Sequence, residues 1–260
     1  MADHIHYDAD DGIASIHIDR SDKRNAFNVA MFGELTAAFG RAEADDAVRA
    51  TLVTAEGPDF TTGLDLTDVA PAWMRGERPL TPDDVDPWAV LGRRRTKPMI
   101  CAVQGRCYTL GFELALASEA CVATRDAVFA LREVRAGIFP AGGGVERLVL
   151  GAGWSTAMRY VLTGDDLPAT EAHRLGLVPE LAPDADAARD RAQEIADAMA
   201  SAAPLAVRGA LAHARRAVEA QWGDAQRAVP DAIQGLINTA DAREAAIAAV
   251  QRRDPRFRGE

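Results

Sequence analysis

Residues 97–118 read K97-P-M-I-C-A-V-Q-G-R-C-Y-T-L-G-F-E-L-A-L-A-S118, and this stretch decides the fold. The apolar run PMICAV (98–103) predicts a buried strand, Gly105 marks a turn, and a helix is expected to begin near Thr109. The whole stretch is one strand, turn and helix unit, which is typical of an α/β protein. From Cys107 onward its only charged residue is Glu113.

Glu113 raises a question, because an ionised carboxylate costs much free energy when it is buried without a partner. A salt bridge or a solvated helix face would be the ordinary explanation. Leu110, Leu114, Ala115 and Leu116 leave little room for a solvated face. The start of a helix after a strand is also a place where ligands meet free backbone N–H groups. Glu113 is therefore a candidate catalytic residue.

The neighbouring sequence extends the α/β pattern in both directions. Residues 4–18 predict a hairpin around Asp10-Asp11-Gly12, and Asn28 predicts the cap of a helix. Short apolar runs predict further strands at 50–55, 120–124 and 127–131. From about residue 153 the pattern is nearly all helical. We therefore expect an α/β core followed by a C-terminal helical region.

Residues 68–95 interrupt this alternation with several prolines and acidic residues. The segment predicts a long, irregular or mobile loop, either a surface excursion or a flap that covers a substrate. Trp73, Met74 and Trp88 are candidates for lining an acyl pocket.

The composition excludes several classes of function. The 260 residues include 29 Lys and Arg against 39 Asp and Glu, a net charge of -10, which disfavours a nucleic-acid partner but not a small anionic ligand. Three cysteines without paired spacing predict neither disulfides nor a zinc site, and the histidines show no metal-ligand spacing. No apolar run approaches the roughly 18 residues that span a bilayer. We expect a cytoplasmic protein without a membrane or metal partner.

A second carboxylate, Glu133, follows the candidate strand at 127–131. Arg132 and Arg135 offer it a structural ion pair. Two carboxylates at the ends of neighbouring core elements can instead work as a general acid and a general base. Glu113 and Glu133 are more informative together than either residue alone.

Two loops carry backbone groups suited to stabilising an oxyanion. FTTGLDL (60–66) and QGRCYTLGFE (104–113) each place glycine where a strand meets a possible helix. Free N–H groups there could converge on one carbonyl oxygen, although a tight turn is the simpler interpretation. For the glycines at 142–144, entry into a helix is the favoured role. No nucleotide-binding, zinc-protease or serine-hydrolase motif occurs.

The order of these motifs resembles the crotonase family, the enoyl-CoA hydratases and isomerases, nearly end to end. The stretches that carry the resemblance are KRNAFN (23–28), FTTGLDL (60–66), KPMICAVQG (97–105) with TLGFELALAS (109–118), GIFPAGGGVERL (137–148), LTGDDLPATEAHRLGLVPEL (162–181) and RDPRFRG (253–259).

The resemblance implies a spiral of ββα units that binds an acyl-CoA thioester. Residues 1–185 would form the acyl-CoA-binding core, and residues 186–260 a helical region for trimerisation. The assembly would be a homotrimer or a dimer of trimers. No cofactor is expected, since coenzyme A is part of the substrate.

By the same resemblance, the backbone N–H groups of Leu64 and Leu110 would form the oxyanion hole. Glu113 and Glu133 would add water across a 2-trans-enoyl-CoA, one deprotonating the water that attacks C3 and the other protonating C2. Which carboxylate does which stays open. Arg24 and Arg252 correspond to positions near the CoA phosphates, the latter reaching a neighbouring subunit.

The sequence departs from the family pattern at three places. Thr109-Leu110 stand where glycines are frequent, and Leu64 where a small residue is common, which restricts the backbone. Arg132 stands where proline is frequent, and a cation there would lower the pKa of Glu133 if it pointed the same way. Two alternatives to a hydratase stay open. One is an enoyl-CoA isomerase with one working carboxylate, and the other is a catalytically weak acyl-CoA-binding homologue.

Overall fold

A computed structural model describes residues 4–77, 80–219 and 223–258, and over these ranges the chain alternates strands and helices before a helical end. The strands are β1 (Ile5–Asp10), β2 (Ile13–Ile18), β3 (Ala50–Ala55), β4 (Val85–Asp86), β5 (Arg93–Arg94), β6 (Met99–Val103), β7 (Arg106–Tyr108), β8 (Ala120–Thr124), β9 (Val128–Ala130), β10 (Leu167–Pro168) and β11 (Glu180–Ala182). The helices are α1 (Val29–Ala44), α2 (Leu66–Met74), α3 (Leu110–Ala117), α4 (Gly144–Ala152), α5 (Trp154–Thr163), α6 (Ala169–Arg174), α7 (Ala185–Ser201), α8 (Pro204–Glu219), α9 (Gly223–Ile237) and α10 (Ala240–Gln251).

The larger sheet has the strand order β1-β2-β3-β6-β8-β11. Strands β1 and β2 form the predicted antiparallel hairpin, and the other neighbours run parallel. Asp11 and Gly12 take positive φ angles of 46° and 83° in its two-residue turn, a conformation that Asp and Gly adopt more readily than most residues.

A smaller sheet, in the order β10-β9-β7, stands beside the first. Strand β6 lies in the larger sheet, and β7 crosses to the smaller one before α3 begins. In the same way, β8 lies in the larger sheet beside β6, and β9 lies in the smaller sheet, where it runs parallel to β7. The chain therefore winds through consecutive ββα units, and their turns meet beside the start of α3.

Helices cover both faces of the larger sheet. Asn28 caps α1 as predicted, because its side-chain oxygen accepts the Met31 N–H at 3.0 Å. On the other face, α7 buries a row of alanines four residues apart, Ala188, Ala192, Ala196 and Ala200, against β3, β6 and β8. Small side chains let this helix approach the strands closely. The division of the chain at residue 185 stays a prediction.

The predicted irregular loop at 68–95 is wrong for its first part, since α2 occupies Leu66–Met74 and contains Pro71. Pro71 lacks an N–H to donate, so the local pattern argued against a helix. Val69 and Ala72 are buried in the core, and tertiary packing of this kind overrides weak helix propensity. Farther along the segment Trp88 is also buried, so this stretch is anchored to the core.

The three cysteines are free and buried, as expected of small apolar side chains. Among the described helices, none alone is long and apolar enough to cross a membrane. Helices α7 and α8 pass that test only as a pair, and they meet at an angle of 107°.

Candidate active site

Glu113 lies in the first turn of α3, and its side chain is only 4% exposed. The backbone of this helix begins at Leu110, and the Glu113 N–H donates to the Thr109 carbonyl at 3.0 Å. Leu110, Phe112 and Leu114 are buried around it. The sequence prediction that this carboxylate lacks a solvated face is confirmed.

Two backbone N–H groups hold the Glu113 carboxylate. Its Oε1 atom accepts from the Gly142 N–H at 2.7 Å and from the Gly144 N–H at 3.0 Å. A Cβ at Gly142 would stand 2.7 Å from Glu113 Oε2, and one at Gly144 would stand 2.9 Å from Cγ. The glycines at 142–144 therefore do more than start α4, the role favoured from sequence: they also allow the carboxylate to approach the backbone.

Glu133 opens the 3₁₀ segment Glu133–Ala136 and is buried to a similar degree. Its Oε2 atom is buried without a hydrogen-bond partner in the described chain. The ion pairs considered from sequence are not formed. Arg132 stacks on Tyr108 and pairs with Asp166, and Arg135 pairs with Asp165 at 3.1 Å.

The two glutamates lie in different environments, and these favour different protonation states. Burial raises the pKa of Glu113 to about 7, and the N–H groups of Gly144 and Gly142 oppose that rise. Burial, and then the charge of Glu113, raise the pKa of Glu133 well above its ordinary value. Arg132 does not point toward Glu133, so the condition for it to lower the pKa of Glu133 is not met: its guanidinium contacts Tyr108 and Asp166. Glu113 has donors that favour its anion, whereas Glu133 favours its neutral form.

The two predicted oxyanion loops lie side by side. The Thr61 N–H donates to the Arg106 carbonyl and the Tyr108 N–H to the Thr61 carbonyl, each at 3.0 Å. Leu64 lies three residues after Thr61, and Leu110 two residues after Tyr108. Within the described ranges, neither the Leu64 nor the Leu110 N–H has a hydrogen-bond acceptor. Both residues line the pocket that contains the two glutamates.

Gly63 and Thr109, the residues just before these two leucines, are in close contact. Gly63 has a φ of +98°, and a Cβ built there would overlap the Thr109 Oγ1 atom and approach Cγ2 to 3.1 Å. Thr109 itself holds a φ of 51°, which is uncommon for a β-branched residue, and its hydroxyl is buried without a partner. The backbone therefore takes a left-handed conformation in spite of the threonine.

Replacing Gly63 by Ala is expected to lower the free energy of unfolding by about 2–4 kcal/mol, from backbone strain and overlap with Thr109. Gly76→Ala is the matched control, because Gly76 has a φ of +81° with nothing within 4 Å of a Cβ. Urea unfolding should show the larger loss at Gly63, and Thr109→Ala in the same chain should restore part of it. Equal losses in the two single variants would contradict the contact.

The pocket between these elements has about 630 Å³ of space between atoms, part of it open to solvent. Besides the glutamates, Asp86 and the two leucines, its wall is largely apolar, with Phe32, Trp73, Trp88, Phe139 and Ile233 among its members. Of the three side chains proposed from sequence, Trp73 and Trp88 line it. Met74 lies in a neighbouring groove between α2 and α10.

Comparison with known proteins agrees with this arrangement. A family model described as enoyl-CoA hydratase/isomerase matches residues 8–260. The chain belongs to the enoyl-CoA hydratase/isomerase family, the crotonases. The resemblance to this family seen in the sequence is confirmed. The protein is an enzyme of the enoyl-CoA hydratase type with a crotonase-family activity.

Individual members of the crotonase family are similar over nearly the full chain. The 2,3-dehydroadipyl-CoA hydratase of Escherichia coli (strain K12) is 33% identical over 246 residues, 93% of each chain. A probable enoyl-CoA hydratase of Rhodobacter capsulatus is 34% identical over 259 residues, 98% of each. The crystal structure of carnitinyl-CoA hydratase from Mycobacterium avium is 30% identical over 100% of both chains, with a TM-score of 0.87. The predicted crotonase fold is confirmed.

The two arginines predicted to contact CoA lie apart from the pocket of this crotonase. Arg24 is exposed just after the 3₁₀ segment Ser21–Lys23, although its carbonyl accepts the Thr62 N–H at 3.1 Å beside the loop that carries Leu64. Arg252 is exposed at the end of α10. Neither is among the residues that line the site. Their roles in CoA binding stay predictions.

Sequence reasoning missed three residues that organise the crotonase site: Asp86, Trp88 as a hydrogen-bond donor, and Arg147. Trp88 and Arg147 act through contacts with residues far along the chain, and Asp86 through the backbone N–H groups of residues 88–92. No motif spacing marks any of the three. In the sequence Trp88 is conspicuous only as an apolar residue in an acidic, proline-rich segment. No group of three or more His, Cys, Asp or Glu residues that could hold a metal ion occurs in the described chain.

Proposed function

We propose that the protein is an enoyl-CoA hydratase that adds water across the 2,3 double bond of a 2-trans-enoyl-CoA. The observation that carries this proposal is the pair of buried carboxylates in one pocket. Glu113 accepts two backbone N–H groups, whereas Glu133 has a buried oxygen without a partner. Pairs of carboxylates whose environments push their pKa values apart are suited to acid and base roles.

The environments support a division of labour between the glutamates. Glu113, as the carboxylate, accepts a proton from the water whose oxygen attacks C3. Glu133, in its protonated form, donates a proton to C2. One O–H bond of water and the C2–C3 π bond are broken, the hydroxyl joins C3, and the proton from Glu133 forms the new C–H bond at C2. Net transfer of the proton from Glu113 to Glu133 then restores the starting forms. Both groups lie in an apolar pocket, where proton transfer is shielded from bulk water.

The charge that develops on the thioester oxygen during this addition needs donors. The N–H groups of Leu64 and Leu110 are the candidates, because each lacks an acceptor within the described chain and their residues line the same pocket. Substrate carbonyl bound there would be polarised toward the enolate. Loss of one such donor typically costs about 10²–10³ in rate.

The assembly and the CoA contacts belong to the same proposal. We expect a homotrimer or a dimer of trimers built through the C-terminal helices, with Arg24 and Arg252 near the CoA phosphates. Light scattering on the purified protein measures the oligomer, and a monomer would contradict the expectation. A cytoplasmic location and the absence of a nucleic-acid partner also remain predictions.

The decisive experiment mixes purified protein with crotonyl-CoA and follows the absorbance of the conjugated enoyl thioester. Loss of that absorbance is expected for a hydratase. A 3-enoyl-CoA tests the isomerase alternative, in which a carboxylate moves a proton between C2 and C4 and absorbance is gained. Binding of both esters without either change would instead support an acyl-CoA-binding homologue.

Hydration is expected to show a bell-shaped dependence of kcat/KM on pH. Glu113 must be ionised to accept a proton, so the rate should rise as pH passes about 7. Glu133 must be protonated to donate, so the rate should fall where its raised pKa is passed. Because the carboxylates interact, both limbs belong to the pair. Initial rates between about pH 5 and pH 10 measure them, and a flat profile would argue against the pair.

A further inference from the structure

Trp88 links the start of α3 with the loop that holds the Glu113 carboxylate. Its side chain is 4% exposed, and its indole Nε1–H donates to the Leu110 carbonyl at 2.8 Å. Leu110 is the first residue of α3, and its N–H is the candidate oxyanion donor. An indole has one N–H and no acceptor, so this bond fixes both the ring and the Leu110–Gly111 peptide unit, which adjoins the Leu110 N–H at the Leu110 Cα.

The backbone carbonyl of Trp88 is connected through Arg147 to the loop that holds Glu113. Arg147 donates from Nη2 to the Trp88 carbonyl at 2.5 Å and from Nη1 to the Gly142 carbonyl at 2.7 Å. The Gly142 N–H in turn donates to Glu113. A single run of hydrogen bonds therefore connects the Leu110 carbonyl, Trp88, Arg147 and the Gly142 N–H that holds Glu113.

Asp86 holds the segment that carries Trp88. Its carboxylate is fully buried and accepts the N–H groups of Trp88 at 2.8 Å, of Val90 and Leu91 at 2.7 Å, and of Gly92 at 3.3 Å. Charge-assisted bonds of this kind are stronger than neutral ones. The segment is thus fixed by its own carboxylate, and the indole meets Leu110 from a rigid support.

We propose that Trp88 is a positioning residue for the reaction. Its indole N–H holds Leu110 by the carbonyl, and so fixes the N–H on the other side of the same Cα where it meets the developing oxyanion. Because hydration is itself proposed, this inference rests on the proposed function. The hydrogen bond from the Leu110 N–H is strongest when negative charge builds on the thioester oxygen. A shift of that N–H therefore raises the free energy of the transition state more than that of the bound substrate.

Trp88→Phe removes the N–H and keeps an aromatic ring. We expect kcat for crotonyl-CoA hydration to fall about 10- to 100-fold while KM changes less than about threefold, since misplacement by about 1 Å can cost 100-fold. Trp154→Phe is the matched control with unchanged kinetics, because Trp154 is 70% exposed on α5. A rise in KM alone would make Trp88 only a pocket wall and would overturn the proposal, as would an unchanged kcat.

A binding measurement separates this inference from the proposed function. Bound acetoacetyl-CoA can ionise to an enolate, whose near-ultraviolet absorbance reports stabilisation of the oxygen without turnover. Trp88→Phe should lower the enolate fraction at saturating ligand. If the parent forms the enolate but does not hydrate crotonyl-CoA, the proposed function fails, while a loss of enolate in the variant still supports positioning. Equal enolate fractions in parent and variant overturn it.

Should Trp88→Phe fail to fold, 3-benzothienylalanine at position 88 supplies a second variant. It has the shape of tryptophan with sulfur in place of the N–H, so the packing against Phe32, whose ring centroid lies 6.0 Å away, is retained. The same fall in kcat and in enolate fraction is expected. Parent-like values in this variant would overturn the proposal.

Discussion

Glu113→Gln is expected to lower kcat for hydration by about 10²–10⁴-fold, the range that a positioned general base supplies. The amide keeps a carbonyl oxygen that can accept the Gly142 and Gly144 N–H groups, so the loop and the fold should persist. What is lost is the capacity to accept a proton from water. Crotonyl-CoA hydration at saturating substrate, followed by enoyl-thioester absorbance, measures the change.

Glu194→Gln is the control for Glu113→Gln, because Glu194 is exposed on α7 and pairs with Arg191 at 2.8 Å, outside the pocket. It should hydrate at the parent's rate. Parent-like hydration by Glu113→Gln itself would show that the assignment of this carboxylate is wrong. If the parent converts a 3-enoyl-CoA but never hydrates crotonyl-CoA, and Glu113→Gln loses that conversion, the result supports the isomerase alternative.

The strand pattern and the two glutamates could be predicted from sequence because both are local signals. The apolar runs at 50–55 and 98–103 lie at β3 and β6, and the Asn28 cap is read from one residue and its successors. Glu113 was noticeable because it interrupts an apolar helix. A charged residue in such a setting is conspicuous without any knowledge of the residues that meet it in space.

The supports of the site could not be predicted in the same way, since they join distant parts of the chain. Gly142 and Gly144 hold Glu113 across 29 and 31 positions, and Arg147 reaches Trp88 across 59. Helix α2 was missed for a related reason, because the cost of Pro71 is local whereas the burial of Val69 is tertiary. Thr109 illustrates a third case: its side chain argued against a positive φ, yet the surrounding contacts impose one.

Glu133→Gln is expected to lower kcat for hydration by about 10²–10⁴-fold, because an amide cannot deliver the proton to C2. The same change should alter how stability depends on pH. The folded pKa of Glu133 lies well above its ordinary value of 4.5, so between these values the folded chain binds a proton that the unfolded chain has released. Its favourable contribution to folding is therefore complete below about pH 4.5 and is lost as pH rises toward the folded pKa.

Glutamine does not titrate, so the stability of Glu133→Gln relative to the parent should increase as pH rises from 4.5 toward the folded pKa of Glu133, by up to about 1.4 kcal/mol per pH unit. Any constant cost of burying the amide cancels in this comparison. Thermal unfolding of both proteins across that range measures the difference, with Glu194→Gln expected to run parallel to the parent. A constant difference would mean that Glu133 is not held protonated. The proton that the proposed mechanism donates to C2 would then lack a source.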